Sequence, residues 1–383
     1  MKDRLIKKTA LYSVGFFTVS MCAILYLSMN KSIVISDVAQ DEVAVMREGS
    51  AASDATGSAD EHLDTDSQPK DGANDTQEIH SLKFKDVNMG SEYLAIPLPE
   101  DINPENITIE NHYMDTMLCI SLPGVAPEFF DTNELTGNHN EIIGGDYELL
   151  KNWDNPTDSK KSKEINTGTR INLEMKGIYE YKTVYENGQL YVSFLKPHEA
   201  FEKIVVIDPA FGGSLPGVEA EDICEKDVAL SVAKKLKDIL DATDIKAYYT
   251  RMDDVGPKEE ARIRLANETK ADAYIRIGVS FDEDQYVYGV TTKYNDEYFI
   301  PGFGNVDLAD ALEYEVVSAI KGKALGLVES TADDYTLKES VVPSASISVG
   351  YISNRQEVQL LTRDEYVEKI ANGIYNAILR MYE

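Results

Sequence analysis

Side chains that commonly bind metal ions or attack substrates are scarce in this chain of 383 residues. Its three cysteines are too far apart in sequence for a zinc site built from thiolates or for a disulfide framework: Cys22, Cys119 and Cys224. Its five histidines all lie before residue 200: His62, His80, His112, His139 and His198. Residues 203–383 therefore contain no imidazole for metal binding or for proton transfer near neutral pH.

The balance of charge excludes one class of partner. The chain has 37 Lys and Arg residues against 67 Asp and Glu residues, so its formal net charge is −30 at pH 7. Nucleic-acid binding needs a basic surface that neutralises phosphates, and a chain this acidic does not offer one. We expect no nucleic-acid partner.

The N-terminal sequence predicts a membrane anchor. Residues 1–8 carry four basic side chains, and residues 9–29 carry no charge, a length that crosses a bilayer as a single helix. The basic end is expected in the cytoplasm, and the remaining chain is expected outside the cell membrane. A cleaved signal peptide is the alternative, although its apolar core is usually shorter.

Residues 30–80 are predicted to form an acidic, disordered linker. Residues 31–80 contain 12 acidic and 3 basic side chains, a net charge of 3 − 12 = −9, and they are rich in small and polar residues. Such a composition cannot bury enough apolar surface to offset the entropy of the chain.

Residues 81–200 are expected to form a small antiparallel β domain. Short runs of alternating apolar and polar side chains, bounded by turn residues, predict strands at 82–85, 94–98, 107–109, 117–122, 171–175, 179–185 and 190–194. The Asn187-Gly188 pair between the last two is typical of a tight hairpin turn. The segment around residues 131–168 is interpreted as a polar insertion.

Residues 201–383 alternate between strand and helix patterns. This alternation predicts an α/β fold with a central, mostly parallel sheet and helices on both sides. Strands are expected at 203–208, 247–250, 273–279, 289–294 and 347–349, and helices around 228–240, 308–320 and 367–381. Pro257 is expected to open a further helix that runs through Leu265.

Residues 203–380 resemble the catalytic domain of zinc-dependent N-acetylmuramoyl-L-alanine amidases, which cleave peptidoglycan. The matching segments follow the order of that family: Ile204–Pro209 with Gly212-Gly213, Glu225–Leu230, Thr250-Arg251, Arg262, Ala266-Asn267, Ala271-Asp272, and Pro343 with Gly350–Asn354. The resemblance implies the amidase fold for nearly half of the chain. The candidates for lining a substrate groove are Asp208, Glu225, Arg262, Asn267 and Asn354.

The resemblance also implies a zinc ion held by two histidines and one glutamate, with a second glutamate as general base. The histidine positions fall on Phe211 and on Gly278, the latter within Arg276–Ser280. The ligand glutamate is retained as Glu225, and the catalytic glutamate falls on Ser348. Because three of these four positions are replaced, we expect neither a zinc ion nor a catalytic residue here.

Glu225 without its partner ligands is expected to be an exposed or N-terminal helix carboxylate, which the helix dipole favours. A substitute metal site is the alternative, although its donors suit harder cations better than zinc: Asp208, Glu219, Cys224 and Glu225. Phe211 is expected to occupy the old metal position and to repack with Gly278. Drift after loss of activity is the competing explanation of these two changes.

The β domain is similar to the AMIN-type modules that precede amidase domains and are associated with the cell wall. The similarity rests on its position, its number of strands and the segments 107–111 and 170–173. These features predict a membrane-anchored, catalytically inactive cell-wall protein that binds peptidoglycan, or that regulates wall hydrolysis with an envelope partner such as an active amidase. The alternatives are an active amidase with an atypical metal site, cleaving the muramoyl–L-alanine amide bond, and a purely structural protein.

Overall fold

The computed structural model describes residues 79–85, 92–151, 167–220 and 223–383. The predicted basic end at 1–8, the predicted anchor at 9–29 and nearly all of the predicted linker at 30–80 lie outside the described residues. Within the described ranges, no helix is long and apolar enough to span a bilayer.

The β-rich part, residues 79–195, consists of two five-stranded sheets with the orders β1-β7-β8-β5-β4 and β2-β6-β3-β10-β9. The pairs are antiparallel except for β2 with β6. The elements are β1 His80–Ser81, β2 Phe84–Lys85, β3 Leu94–Pro97, a 3₁₀ helix Pro104–Asn106, β4 Thr108–His112, β5 Met117–Pro123, α1 Phe129–Thr132, β6 Leu135–Gly137, β7 Ile142–Leu150, β8 Gly168–Met175, β9 Glu180–Glu186 and β10 Gln189–Leu195.

Both sheets bury their apolar positions in one common core. Ile96 and Leu190 come from one sheet and Ile120 and Ile171 from the other, and all four are fully buried. The β9–β10 hairpin closes through Asn187 and Gly188, whose φ angles are 52° and 71°. These positive angles are the reason why an Asn-Gly pair suits the turn.

The interpretation of residues 131–168 as a polar insertion was wrong for its first part, because β6 and the nine-residue β7 lie there. β7 buries Ile142 and Tyr147 and pairs with β8 over its length. Two glycines interrupt its pattern, and at Gly145 a Cβ atom would lie 2.9 Å from Leu82 Cδ1. His80, at the end of the predicted linker, is in strand β1 and stacks on Tyr147.

The α/β part, residues 197–382, has one six-stranded sheet in the order β14-β11-β15-β18-β16-β17 and a short two-stranded sheet, β12-β13. Only β16 and β18 pair antiparallel in the large sheet. The elements are α2 Pro197–Ala200, β11 Lys203–Pro209, β12 Glu219–Ala220, β13 Ile223–Cys224, α3 Glu225–Leu240, β14 Ile245–Tyr249, α4 Glu259–Thr269, β15 Ala273–Ser280, β16 Val290–Tyr294, α5 Asn305–Ile320, β17 Ala324–Glu329, α6 Tyr335–Lys338, β18 Ser344–Tyr351, α7 Arg355–Leu361 and α8 Asp364–Met381.

Helices cover both faces of this sheet, so the predicted α/β class is confirmed. Helices α3, α5 and α8 pack with the inward residues of β11, β15 and β18 in the largest core. Residues of α4 and α6 cover the other face. Some details differ from the prediction. Helix α4 begins at Glu259, after Pro257. Strand β17 was not predicted, because as an edge strand it is only partly buried, and the short elements α2, β12, β13, α6 and α7 were not predicted either.

The two parts of the molecule meet at a carboxylate. Glu180, which is 6% exposed, accepts hydrogen bonds from the hydroxyls of Tyr113 (2.9 Å) and Tyr248 (2.5 Å). The ammonium of Lys246 lies 3.6 Å from the same oxygen and above the rings of Tyr113, Tyr248 and Phe201. Lys246 is the second residue of β14 and pairs with Ile204 near the start of β11, so this junction lies towards the amino edge of the sheet.

Candidate functional site

The four positions at which the resemblance implies chemistry lie together at the carboxyl edge of the sheet. Phe211 follows β11, Glu225 begins α3, and Gly278 on β15 lies in register with Ser348 on β18. Ligands of open α/β sheets bind at this edge, where strand ends and loops meet.

Glu225 is at a helix N-terminus, as expected, but it is buried rather than exposed, with 7% of its surface accessible. Its Oε2 accepts the backbone N–H of Val218 (3.1 Å), and its Oε1 accepts that of Val279 (3.2 Å). Burial raises the pKa of this carboxyl above its usual value, although the two hydrogen bonds oppose the shift. Both oxygens therefore hold backbone segments together.

Three residues leave no space around that carboxylate. A Cβ atom at Gly278 would overlap Oε1 of Glu225. A Cβ atom at Gly217, whose φ is +74°, would lie 2.6 Å both from Oε2 of Glu225 and from Cδ2 of Phe211. The Phe211 ring and the Glu225 carboxylate thus both lie against Gly217. The atoms nearest a Cβ at Gly278 belong to Glu225 and Ala210, so the repacking of Phe211 with Gly278 stays a prediction.

Arg276 is a further member of the site that the sequence analysis did not single out. Its guanidinium lies 5.7 Å from the centre of the Phe211 ring. It also donates to Asp208 (2.8 Å) and, through both terminal nitrogens, to Glu259 (2.8 and 3.1 Å). The available signal was an arginine two residues before Gly278, the position at which the resemblance implies a histidine.

Ser348 offers a hydroxyl where the family has its catalytic glutamate. Its Oγ accepts a hydrogen bond from Ser280 Oγ (2.9 Å). A serine hydroxyl does not take up a proton near neutral pH without a base beside it, so this pair cannot replace the general base.

The structure corrects the assignment of the other groove candidates. Asp208 and Arg262 are ion-paired and at most 1% exposed, so neither can touch a ligand. Asn267 donates a hydrogen bond to the carbonyl of Glu339 and accepts one from the N–H of Val341, which holds that loop against α4. Asn354 is the N-cap of α7. These four polar residues are structural, which explains their presence without requiring substrate.

Asp208 is the centre of a buried polar network. Its carboxylate accepts from Arg262 and Arg276 and from the hydroxyls of Thr250 and Tyr274. Burial alone would raise its pKa, but Arg276, Arg262 and the hydroxyl donors reverse the shift and lower the pKa to about 2.

The residues present do not fit a zinc ion. A zinc site needs several converging imidazole, thiolate or carboxylate donors, and here only Glu225 offers one, with both oxygens already bound to backbone amides. The substitute site also fails. Asp208 is enclosed, and the Cys224 thiol donates a hydrogen bond to Asp227. This hydrogen bond, together with burial, raises the pKa of Cys224 to about 11. In the ranges that the structure describes, no three such donors converge.

A cavity of about 340 Å³ opens beside these residues at the same edge. Phe281, Ile352 and Val358 supply apolar walls, and Asp282, Glu283 and Arg355 supply charges of both signs. Such a lining can bind a small polar ligand, but it contains no nucleophile paired with a base.

Comparisons with known proteins agree with this fold. Residues 205–380 match the family model of N-acetylmuramoyl-L-alanine amidase. The uncharacterized protein YqiI of Bacillus subtilis (strain 168) is 29% identical over 181 residues, 47% of this chain and 85% of that protein. The germination-specific N-acetylmuramoyl-L-alanine amidase of the same organism is 27% identical over 201 residues, 47% of this chain and 80% of that protein.

Among solved structures, an N-acetylmuramoyl-L-alanine amidase from Clostridium difficile 630 is 30% identical, with a TM-score of 0.44, over 46% of this chain and 95% of that one. Through the family model and the related amidases, residues 205–380 are identified as an N-acetylmuramoyl-L-alanine amidase family domain.

Proposed function

We propose that this chain is a membrane-anchored, extracytoplasmic member of the amidase family that binds at the cell wall and does not hydrolyse it. The anchor is the uncharged segment 9–29, and the acidic residues 30–80 separate it from the folded part. The β-rich part, in this proposal, is an AMIN-like module that helps to localise the protein.

The proposal rests on the hydrogen bonds that Glu225 accepts from the backbone. A zinc ligand must direct a free lone pair at the metal, whereas both Glu225 oxygens accept backbone N–H groups. The two histidine positions hold a phenyl ring and no side chain, and the general-base position holds a hydroxyl. Without a metal ion or a base, nothing at this edge can activate water for attack on an amide.

Two kinds of ligand are part of this proposal. At the carboxyl edge, the cavity of about 340 Å³ and the half-exposed aromatic rings of Phe281 and Tyr288 can hold a peptidoglycan fragment without cleaving it. The second kind of ligand is an envelope protein, such as an active amidase, and by binding it the chain would regulate wall hydrolysis.

Zinc content and turnover test the proposal. The extracytoplasmic protein, purified without chelators and dialysed against trace zinc, should hold far less than one zinc ion per chain and should release no L-alanine-linked peptide from purified wall fragments. The matched control is Glu225→Ala, which should leave both values unchanged. One tightly bound zinc ion per chain, lost in the control together with amide cleavage, would instead establish an active amidase with an atypical site.

Sedimentation with purified, insoluble peptidoglycan separates the two kinds of ligand. Wall binding predicts that the protein sediments with the polymer and is released by soluble wall fragments. A protein that stays in the supernatant, yet co-purifies with an envelope protein, supports the regulatory role alone.

A further inference from the structure

The edge of the sheet opposite the candidate site displays two aromatic side chains to solvent. Phe299 is 84% exposed and Tyr298 is 46% exposed, on the loop that joins β16 to α5. Because β16 runs antiparallel to β18, this loop lies where β18 begins, at the amino edge of the parallel strands. It is therefore remote from Glu225 and Gly278.

Buried asparagines hold this loop in place. Asn295 and Asn305 are 4% and 5% exposed. Asn305 donates to the carbonyls of Asn295 and Tyr298 (both 3.0 Å) and accepts the N–H of Ser344, while Asn295 donates to the carbonyl of Leu337. A loop fixed by so many hydrogen bonds presents its aromatic residues in one orientation, which lowers the entropy cost of binding.

Further apolar side chains are exposed on the segments that these bonds connect. They are Val306 at 47%, Tyr335 at 39% and Val341 at 57%. We call the five residues Tyr298, Phe299, Val306, Tyr335 and Val341 the amino-edge surface. The hydrogen bonds of Asn295 and Asn305 bring the segments of these residues together. Exposed apolar groups at one edge of a domain commonly mark contacts with other proteins, and aromatic residues dominate the binding energy of such contacts.

Acidic side chains outnumber basic ones on the segments that carry the amino-edge surface. Asp296, Glu297, Asp333 and Glu339 come from these segments, with the Asp296 and Glu297 side chains 38% and 74% exposed. Lys338, the lysine among them, lies 3.2 Å from Glu297 and 3.9 Å from Asp296, so one positive charge is shared by two of the four acids and an acidic excess remains. A second copy of this chain would bring the same acids together, and an anionic lipid surface would also be repelled.

We infer that the amino-edge surface binds an envelope protein through a segment that combines apolar and basic side chains. This inference deepens the partner-binding part of the proposed function. It places that partner at the edge opposite the cavity, so that wall and protein ligands can be held at the same time.

Photo-cross-linking in producing cells tests the inference with the full-length chain. Benzoylphenylalanine in place of Phe299 should give one discrete adduct with a protein that has a basic segment. The matched control is the same group in place of Tyr286, which is 78% exposed at the carboxyl edge and should not give that adduct. No adduct at 299, an adduct with a second copy, or the same adduct from both positions would overturn the inference.

Binding of the purified adduct partner then separates specific contact from proximity. Phe299→Ser should weaken binding on the order of tenfold while leaving the circular dichroism spectrum unchanged, since the side chain is 84% exposed. Salt raised from about 50 to about 500 mM should weaken binding of the unmodified chain as well. Unchanged affinity in either binding experiment contradicts the inference. Zinc content and wall turnover test the absence of catalysis, and their results do not depend on these two binding experiments.

Discussion

The carboxylate of Glu225 lies directly against the backbone of Gly278, in the space that any side chain at position 278 would need. The resemblance of residues 203–380 to the amidase family implies a zinc-binding histidine at that position. Here the Glu225 carboxylate fills the space that such a side chain would need, so the two positions are structurally dependent on each other.

Gly278→Ala should therefore be destabilising. The added Cβ atom displaces Oε1 of Glu225 from the N–H of Val279, and a buried donor without a partner costs about 1–3 kcal/mol of unfolding free energy. Urea unfolding measures the loss. Gly144→Ala on β7 is the control, because no atom lies within 4 Å of its added Cβ, and it should change stability by less than about 1 kcal/mol.

Restoring both histidines should not restore zinc binding. In Phe211→His/Gly278→His the new side chain at 278 overlaps Glu225, and the Arg276 guanidinium that packs on Phe211 repels a cation. Calorimetric titration with zinc should detect no stoichiometric site. Adding Arg276→Ser to the pair should improve binding, and one zinc ion per chain in the double variant would show that the pocket had not been rebuilt.

Asp208→Asn should cost far more stability than an ordinary surface change. It leaves Arg262, which is 1% exposed, and Arg276 without their common counter-charge, a loss of about 3–5 kcal/mol. Asp244→Asn removes the exposed pair with Lys203 and should cost much less stability than Asp208→Asn. Equal effects of the two substitutions would contradict the assigned importance of the network.

The low pKa of Asp208 also predicts acid sensitivity. Because its pKa is lowered in the folded state to about 2, from 3.8, the ionised group stabilises the fold above about pH 4. That contribution, about 2 kcal/mol, is lost as the pH falls towards 2. Unfolding free energies at pH 5 and pH 2.5 should therefore differ more in the unmodified protein than in Asp208→Asn; an identical pH dependence would argue against this origin.

Tyr248→Phe should weaken the junction between the two parts of the molecule. It removes one of two hydroxyl donors to the buried Glu180 carboxylate, at a cost of about 1–3 kcal/mol. Calorimetry should show a lower transition temperature, or separate transitions for the two parts. The exposed Tyr314→Phe is the control and should melt like the unmodified protein; a similar shift in both variants would mean that Glu180 does not couple them.

The amino-acid sequence determined the elements whose residue types act locally. Apolar residues at helical spacing specified α3, since Val228, Val232, Leu236 and Leu240 all face the core. The Asn187-Gly188 pair specified the β9–β10 turn because both residues tolerate positive φ. Strand β7 was not predicted because Gly144 and Gly145 interrupt its alternation of apolar and polar side chains. The need for a glycine at position 145 depends on residues of other segments, since a Cβ atom there would meet Leu82 and Leu173.

The sequence also determined which chemical groups the α/β part lacks, because residues 199–383 contain no histidine that could form part of its carboxyl edge. What the remaining polar residues do was decided by the tertiary structure alone. Asp208 and Arg262 are 54 positions apart and still form a buried ion pair, while Glu225 binds Val218 and Val279 from two separate segments. Burial and hydrogen-bond partners depend on contacts between distant parts of the chain, and residue type cannot distinguish a ligand-binding carboxylate from one that holds the fold together.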